Sequence, residues 1–194
     1  MERLKPVDLL SLEQYARERN AIRARVLEHK RQRQLAVGPS TTWCFEDRLT
    51  IQYQVQEMLR AERIFEPEGI AEELDSYNPL VPDGANWKVT LLIEFPDAEE
   101  RQRQLAVLKG IERRCWVQAA GSDRVYAIAD EDLERENAEK TSSVHFLRFE
   151  LAPPMIAALK AGGALALGID HEHYRHAIDP VPAPVRNALI ADLA

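Results

Sequence analysis

The stretch WKVTLLIEF, residues 87–95, decides the fold. It is rich in apolar and β-branched side chains, and it lies between a turn, Pro82-Asp83-Gly84, and Pro96-Asp97, which leads into a helix at about 97–109. An apolar run this short, bounded by turn residues, reads as a strand. The pattern continues C-terminally. RCWVQAA (114–120) and RVYAIA (124–129) flank Gly121-Ser122-Asp123, a hairpin signal, and VHFLRFEL (144–151) alternates with period two. Pro153-Pro154 opens a helix to about 161, Gly162-Gly163 ends it, and ALALGI (164–169) is a fifth strand. Prolines at 180, 182 and 184 precede a final short helix.

N-terminal to the deciding stretch the period is helical. Leu12, Tyr15, Ile22 and Val26 recur at helical spacing, which predicts a long helix over 8–34 that Gly38-Pro39 stops. A short strand at 40–45, a second helix at about 47–64 and a third from Pro67 to Asn78-Pro79 follow. The expected fold is a single α+β domain over 1–194, helix-rich in 1–84 and sheet-rich in 85–194. Its helical N-terminal half packs on a mostly antiparallel sheet of about five strands. The heptamer RQRQLAV occurs at 31–37 and again at 101–107. Its flanks do not align, so it reads as two similar helix ends rather than a repeat.

The composition, 45% hydrophobic and 29% charged, is that of an ordinary globular domain. No apolar run approaches the ~20 residues that span a bilayer, and the start MERLKPVDLL lacks the apolar centre of a signal peptide. A cytoplasmic protein is expected. Cys44 and Cys115 sit in strand-like surroundings without CxxC spacing and read as core residues. A net charge of −7 argues against nucleic-acid binding, although residues 17–33 form a basic helix. Arg23, Arg25 and Lys30 on it are candidates for docking an acidic partner, against the plainer reading of a solvated face. No glycine-rich phosphate loop or nucleophile elbow is present, which disfavours nucleotide binding and acyl transfer.

Polar residues at apolar positions draw attention next. His29 and Arg19 fall on the apolar stripe of the first helix. In the second, Ile51, Val55, Met58 and Phe65 define the stripe and Glu62 lies near its centre, where a carboxylate is costly unless paired or coordinated. A satisfied core histidine and an Arg19–Glu62 ion pair are the plain explanations. GIDHEHYRH (168–176) follows a strand and holds three of the chain's five histidines. In an extended segment His171 and His173 point to one side and His176 can return to it. These imidazoles, completed by a carboxylate such as Glu62 or Asp170, could hold a divalent metal such as iron or zinc, against the plainer reading of a surface loop. His145 shares a strand face with Leu147 and Phe149 and is a weaker candidate, on the core side or its rim.

Three long segments carry a resemblance: FEDRLTIQYQVQEMLRAERIFEPEGIAEELDSYNPLVPDG (45–84), RVYAIADEDLERENAEKTSSVHFLRFEL (124–151) and DHEHYRHAIDPVP (170–182). With the N-terminal helix they resemble an uncharacterised bacterial family, domain-of-unknown-function family three-five-zero-one, over nearly the whole chain. The resemblance implies no established activity and no catalytic residues. It does imply a setting beside rubrerythrin-like proteins and iron–sulfur oxidoreductases. It also implies that His171, Tyr174 and His176 follow the family pattern while His173 is this chain's own variation. That narrows the expected metal site to His171 and His176 with His29 and Glu62, and with Tyr174 behind the ligands. The resulting expectation is a metal-binding redox-accessory protein, tied to peroxide defence and possessing a divalent metal. The alternative is a non-enzymatic module that docks an iron–sulfur oxidoreductase.

Overall fold

A computed structural model describes residues 2–132, 135, 137 and 139–194. Its N-terminal elements are α1 (Leu12–Lys30), β1 (Gln34–Ala36), β2 (Thr41–Glu46), α2 (Arg48–Glu62) and α3 (Pro67–Tyr77). Then come β3 (Asn86–Ile93), α4 (Ala98–Val107), β4 (Cys115–Ala119), β5 (Val125–Tyr126), β6 (Ile128–Ala129) and β7 (Val144–Glu150). The chain closes with α5 (Pro153–Lys160), β8 (Leu165–His171), β9 (Tyr174–Ile178) and α6 (Ala183–Ala191). The fold is α+β, as the patterning predicts.

The strands divide between two antiparallel sheets. One has the order β1-β2-β3-β7-β6, and the other β5-β4-β8-β9. WKVTLLIEF is the central strand of the first. RVYAIA serves both: Val125-Tyr126 pairs with β4, and Ile128-Ala129 pairs with β7. One face of each sheet contributes to a common apolar core. Trp43, Trp87, Leu91 and Phe149 meet Cys115, Val117, Leu165 and Leu167 there, closed by Leu105 of α4, Leu159 of α5 and Leu189 of α6. Both cysteines are free and buried.

The helices α2 and α3 have a core of their own. Leu4, Ile51, Val55, Leu59, Leu74 and Val81 form a second cluster that shares no residue with the first. This lobe lies over the other face of the five-stranded sheet. Contact is polar there: Glu46 of β2 accepts from Thr50 of α2 at 2.6 Å and from Thr90 of β3 at 2.7 Å.

The first helix is shorter than its pattern. It ends at Lys30, and Gln34–Ala36 pairs with β2 instead. Arg33 is the reason. Its guanidinium is buried and reaches Asp192 in α6 and Asp47 at the N-cap of α2, which pulls the chain out of the helical path. The two copies of RQRQLAV therefore differ: the first turns into a strand, and the second lies wholly within α4.

Candidate functional site

The four expected metal ligands each have a partner or a position that keeps them apart. His29 does lie on the inner side of α1, where its Nε2 is 2.5 Å from Asp47 Oδ2. Glu62 is exposed, because the buried stripe of α2 ends at Leu59 and Phe65 stands in solvent. One residue further the helix closes on Arg63 in the left-handed conformation, φ 58°. Arg19 pairs with Glu57, more than a turn before Glu62, at 2.7 Å from both carboxylate oxygens.

The histidine-rich stretch is not a loop but the β8–β9 hairpin, in which His171 opposes Tyr174 and Ile169 opposes His176. His171 is buried. Its Nε2 lies 3.0 Å from the Lys109 carbonyl, and its Nδ1 accepts the His173 N–H at 3.3 Å. Both ring nitrogens are thereby used in a neutral imidazole. The Tyr174 hydroxyl donates to Val37 O and accepts from Ser40 N–H, each at 2.9 Å, so it clasps the β1–β2 turn. His176 packs its ring against Tyr174, with centroids 4.6 Å apart. Among the described residues no three His, Cys, Asp or Glu side chains converge as metal ligands. On α1, Arg23 and Arg25 are exposed, and neither they nor Lys30 has an ion-pair partner among the described residues.

His145 is fully buried. Its Nδ1 faces Asp130 Oδ2 at 2.6 Å and its Nε2 faces Thr141 Oγ1 at 3.0 Å. This acid–imidazole–hydroxyl order is that of an activated nucleophile. Thr141, however, is only 1% exposed, so the arrangement ties the chain ahead of β7 to Asp130. Asp130 itself sits at φ 51° and also accepts the Phe146 N–H.

The cleft that sequence reasoning missed lies between the helical lobe and the five-stranded sheet, a cavity of about 370 Å³. Its floor is the sheet face that carries Lys88, Phe146 and Arg148. Met58 of α2 and Glu73 and Tyr77 of α3 form one wall, and Glu131, Asp132 and Arg135 form the other. The alternation of VHFLRFEL is real, but the side bearing Phe146 and Arg148 faces this cleft rather than open solvent.

Charge in the cleft is unevenly matched. Arg148 bonds Glu131 at 2.8 Å and also reaches Glu150, while Arg135 stacks on Phe146 and pairs with Asp130 and Asp132. Lys88 has no ion pair among the described residues. It stands directly opposite Arg148 in the β3–β7 register, an arrangement of like charges that costs stability. Burial holds its ammonium below the usual lysine range, and Arg148 adds to the depression. Across the cleft, burial pushes the Glu73 carboxyl up, with Glu62 and Glu72 contributing, and Glu73 Oε2 is buried without a hydrogen-bond partner among the described residues. The site thus offers an unneutralised cation, an unsatisfied carboxyl oxygen and apolar surface between them.

A family model for proteins of unknown function, DUF3501, matches residues 3–193. The chain belongs to this family. It is also similar to a solved structure from Burkholderia pseudomallei K96243, described as a novel protein of unknown function. Identity is 49%, the TM-score is 0.94, and the match covers 100% of both chains. Comparison with curated proteins gives no match. This DUF3501 chain has no helix among its described residues long and apolar enough to cross a membrane.

Proposed function

We propose that this DUF3501 protein binds a small organic acid in the cleft between its helical lobe and its five-stranded sheet. The observation that carries the reading is Lys88, a partly buried ammonium with no ion pair among the described residues, set opposite a second cation. A ligand carboxylate would supply the missing charge. The ligand's apolar body would lie against Met58, Tyr77 and Phe146, and a hydroxyl or amino donor at its far end would meet Glu73 Oε2. The cavity volume of about 370 Å³ suits a molecule of metabolite size.

A thermal-shift screen of aromatic and aliphatic carboxylates, each beside its amide, tests this. Acids are expected to stabilise the wild-type protein over their amides, and Lys88→Met is expected to abolish that preference. No difference between acid and amide across the panel would reject the reading.

A second reading has one observation in its favour. Arg23 and Lys30 share an outward stripe of α1 with Leu27, which is 53% exposed. This basic, partly apolar stripe suits an acidic protein surface such as that of an iron–sulfur oxidoreductase. Reversing Arg23, Arg25 and Lys30 to Glu should weaken such a complex and flatten its salt dependence.

A further inference from the structure

The four-stranded sheet has an outer face that the cleft does not use. By the pairing register, Trp116 lies beside Gly168 and Tyr126, and Asp170 lies beside Arg175. Arg114 precedes Cys115, whose partner is Ile169, so it extends the row of Asp170 and Arg175. Arg114, Trp116, Asp170 and Arg175 line a concavity of about 470 Å³, together with Arg124.

The charges in it do not cancel. Asp170 is shared by Arg114 at 3.1 Å, Arg124 at 3.4 Å and the Tyr126 hydroxyl at 2.6 Å. Arg175 sits opposite it in register yet makes no ion pair among the described residues. Three guanidinium groups thus face one carboxylate in a chain whose net charge is −7. The Arg124 guanidinium is also held in place, 3.9 Å above the Trp116 ring. Trp116 Nε1 is buried without an acceptor, and the ring covers Gly168, where a Cβ would meet it at 2.7 Å. Asp170 acts here as an orienting group for Arg114 and Arg124, and Arg175 is left to meet an anion.

We infer that this face is a binding site for a compact phosphoryl anion, a diphosphate group of a small molecule. Guanidinium forks match phosphate oxygens in pairs, and a dianion or trianion answers the excess of positive charge. A long polyanion fits less well, because the three arginines share one concavity in a chain whose net charge is −7.

Pyrophosphate titrated at constant ionic strength, read by intrinsic fluorescence, tests the site. Trp43 and Trp87 are fully enclosed in the core, which leaves Trp116, under Arg124, as the reporter. A saturable change is expected that disappears in Trp116→Phe. Arg175→Ala should weaken binding by about tenfold, the loss of one charge-assisted contact of ~1.4 kcal/mol, while Arg103→Ala at an exposed position of α4 leaves it unchanged. Three results would overturn the assignment: no saturation by about 10 mM pyrophosphate, a range in which binding no longer distinguishes a site from bulk ions; equal affinity in Arg175→Ala; or an oligothymidylate that binds more tightly than pyrophosphate, which would make the face a nucleic-acid surface. Circular dichroism matching the wild type keeps the variant comparison valid, and Arg175→Lys, retaining charge without the fork, should restore only part of the affinity.

Discussion

Arg33 and Asp192, 159 residues apart in sequence, form a two-pronged ion pair with both nitrogen–oxygen distances at 2.7 Å. Both side chains are about 5% exposed. The pair fastens the strand after α1 to the C-terminal helix, and through Arg33 Nε it reaches Asp47 and His29. Breaking it leaves the buried guanidinium only its Nε ion pair with Asp47 among the described residues. Asp192→Ala is therefore expected to lower unfolding stability by about 3 kcal/mol in urea titrations. The double change Arg33→Met with Asp192→Leu should recover at least half of that, because it removes both charges. A loss under about 1 kcal/mol for Asp192→Ala would show that water reaches the pair.

Glu57 gives the protein an acid-sensitive contact. The Arg19 guanidinium, joined by the Tyr15 hydroxyl, holds its carboxyl down at about 2 against an ordinary 4.5. A depressed folded-state value means that the contribution is complete above about 4.5 and is lost as pH falls through about 2. With both partners about a quarter exposed, the contribution is ~2 kcal/mol at neutral pH. Urea midpoints taken from pH 5 down to pH 2 should fall less steeply in Glu57→Gln than in the wild type. Parallel curves would remove Glu57 as the cause.

Gly38 occupies a position closed to other residues on two counts. Its φ is +80°, and a Cβ would meet the His176 ring at 2.5 Å and the Tyr174 hydroxyl at 2.6 Å. Gly38→Ala should cost about 2 kcal/mol or more, since it combines a left-handed backbone with a steric clash. Tyr174→Phe, which keeps the ring and removes two hydrogen bonds, should cost about 1–2 kcal/mol. Thermal unfolding of the two variants checks the order, which reverses if the turn can shift away from the hairpin.

Lys88 should behave oppositely in stability and in binding. Replacing it with Met removes a half-buried charge placed against Arg148, so the unliganded protein should gain about 0.5–1 kcal/mol. The same change should eliminate stabilisation by carboxylates. A residue retained only for the fold would lose stability instead, and differential scanning calorimetry with and without ligand distinguishes the two.

How far the sequence could be read depended on the range of the interactions. The period-two pattern of VHFLRFEL and the turn residues around WKVTLLIEF are local, and both strands lie where they predict. RQRQLAV could not be read locally at all. In α4 its Arg103 is exposed and the heptamer stays helical, whereas Arg33 meets Asp192 and its copy becomes a strand. Glu62 occupies the correct angle on the helical wheel, but the stripe has no packing partner so near the helix end. The stretch GIDHEHYRH reads as a loop because it comes at the carboxyl end of a strand. Pairing with β8 makes it a strand, and Tyr174 is used against a turn that lies 134 residues away. Lys88 and Arg148 carry a faint signal, polar residues at alternating strand positions, which open solvent would explain equally well without the lobe above them.

The lobe and the sheets have separate apolar cores, and the cleft has one wall from each. Two such cores can lose their order independently, so the amides of α2 and α3 should exchange through openings that leave β3 and β7 protected. A molecule held between Lys88 and Glu73 would have to be released before the lobe could open. Occupancy would then raise the opening free energy of the lobe by RT ln(1 + [L]/Kd), about 2.7 kcal/mol at a hundredfold excess over Kd. Filling the cleft would thus join two cooperative units into one, and slowed exchange confined to α2 and α3 would report a ligand before its chemistry is known.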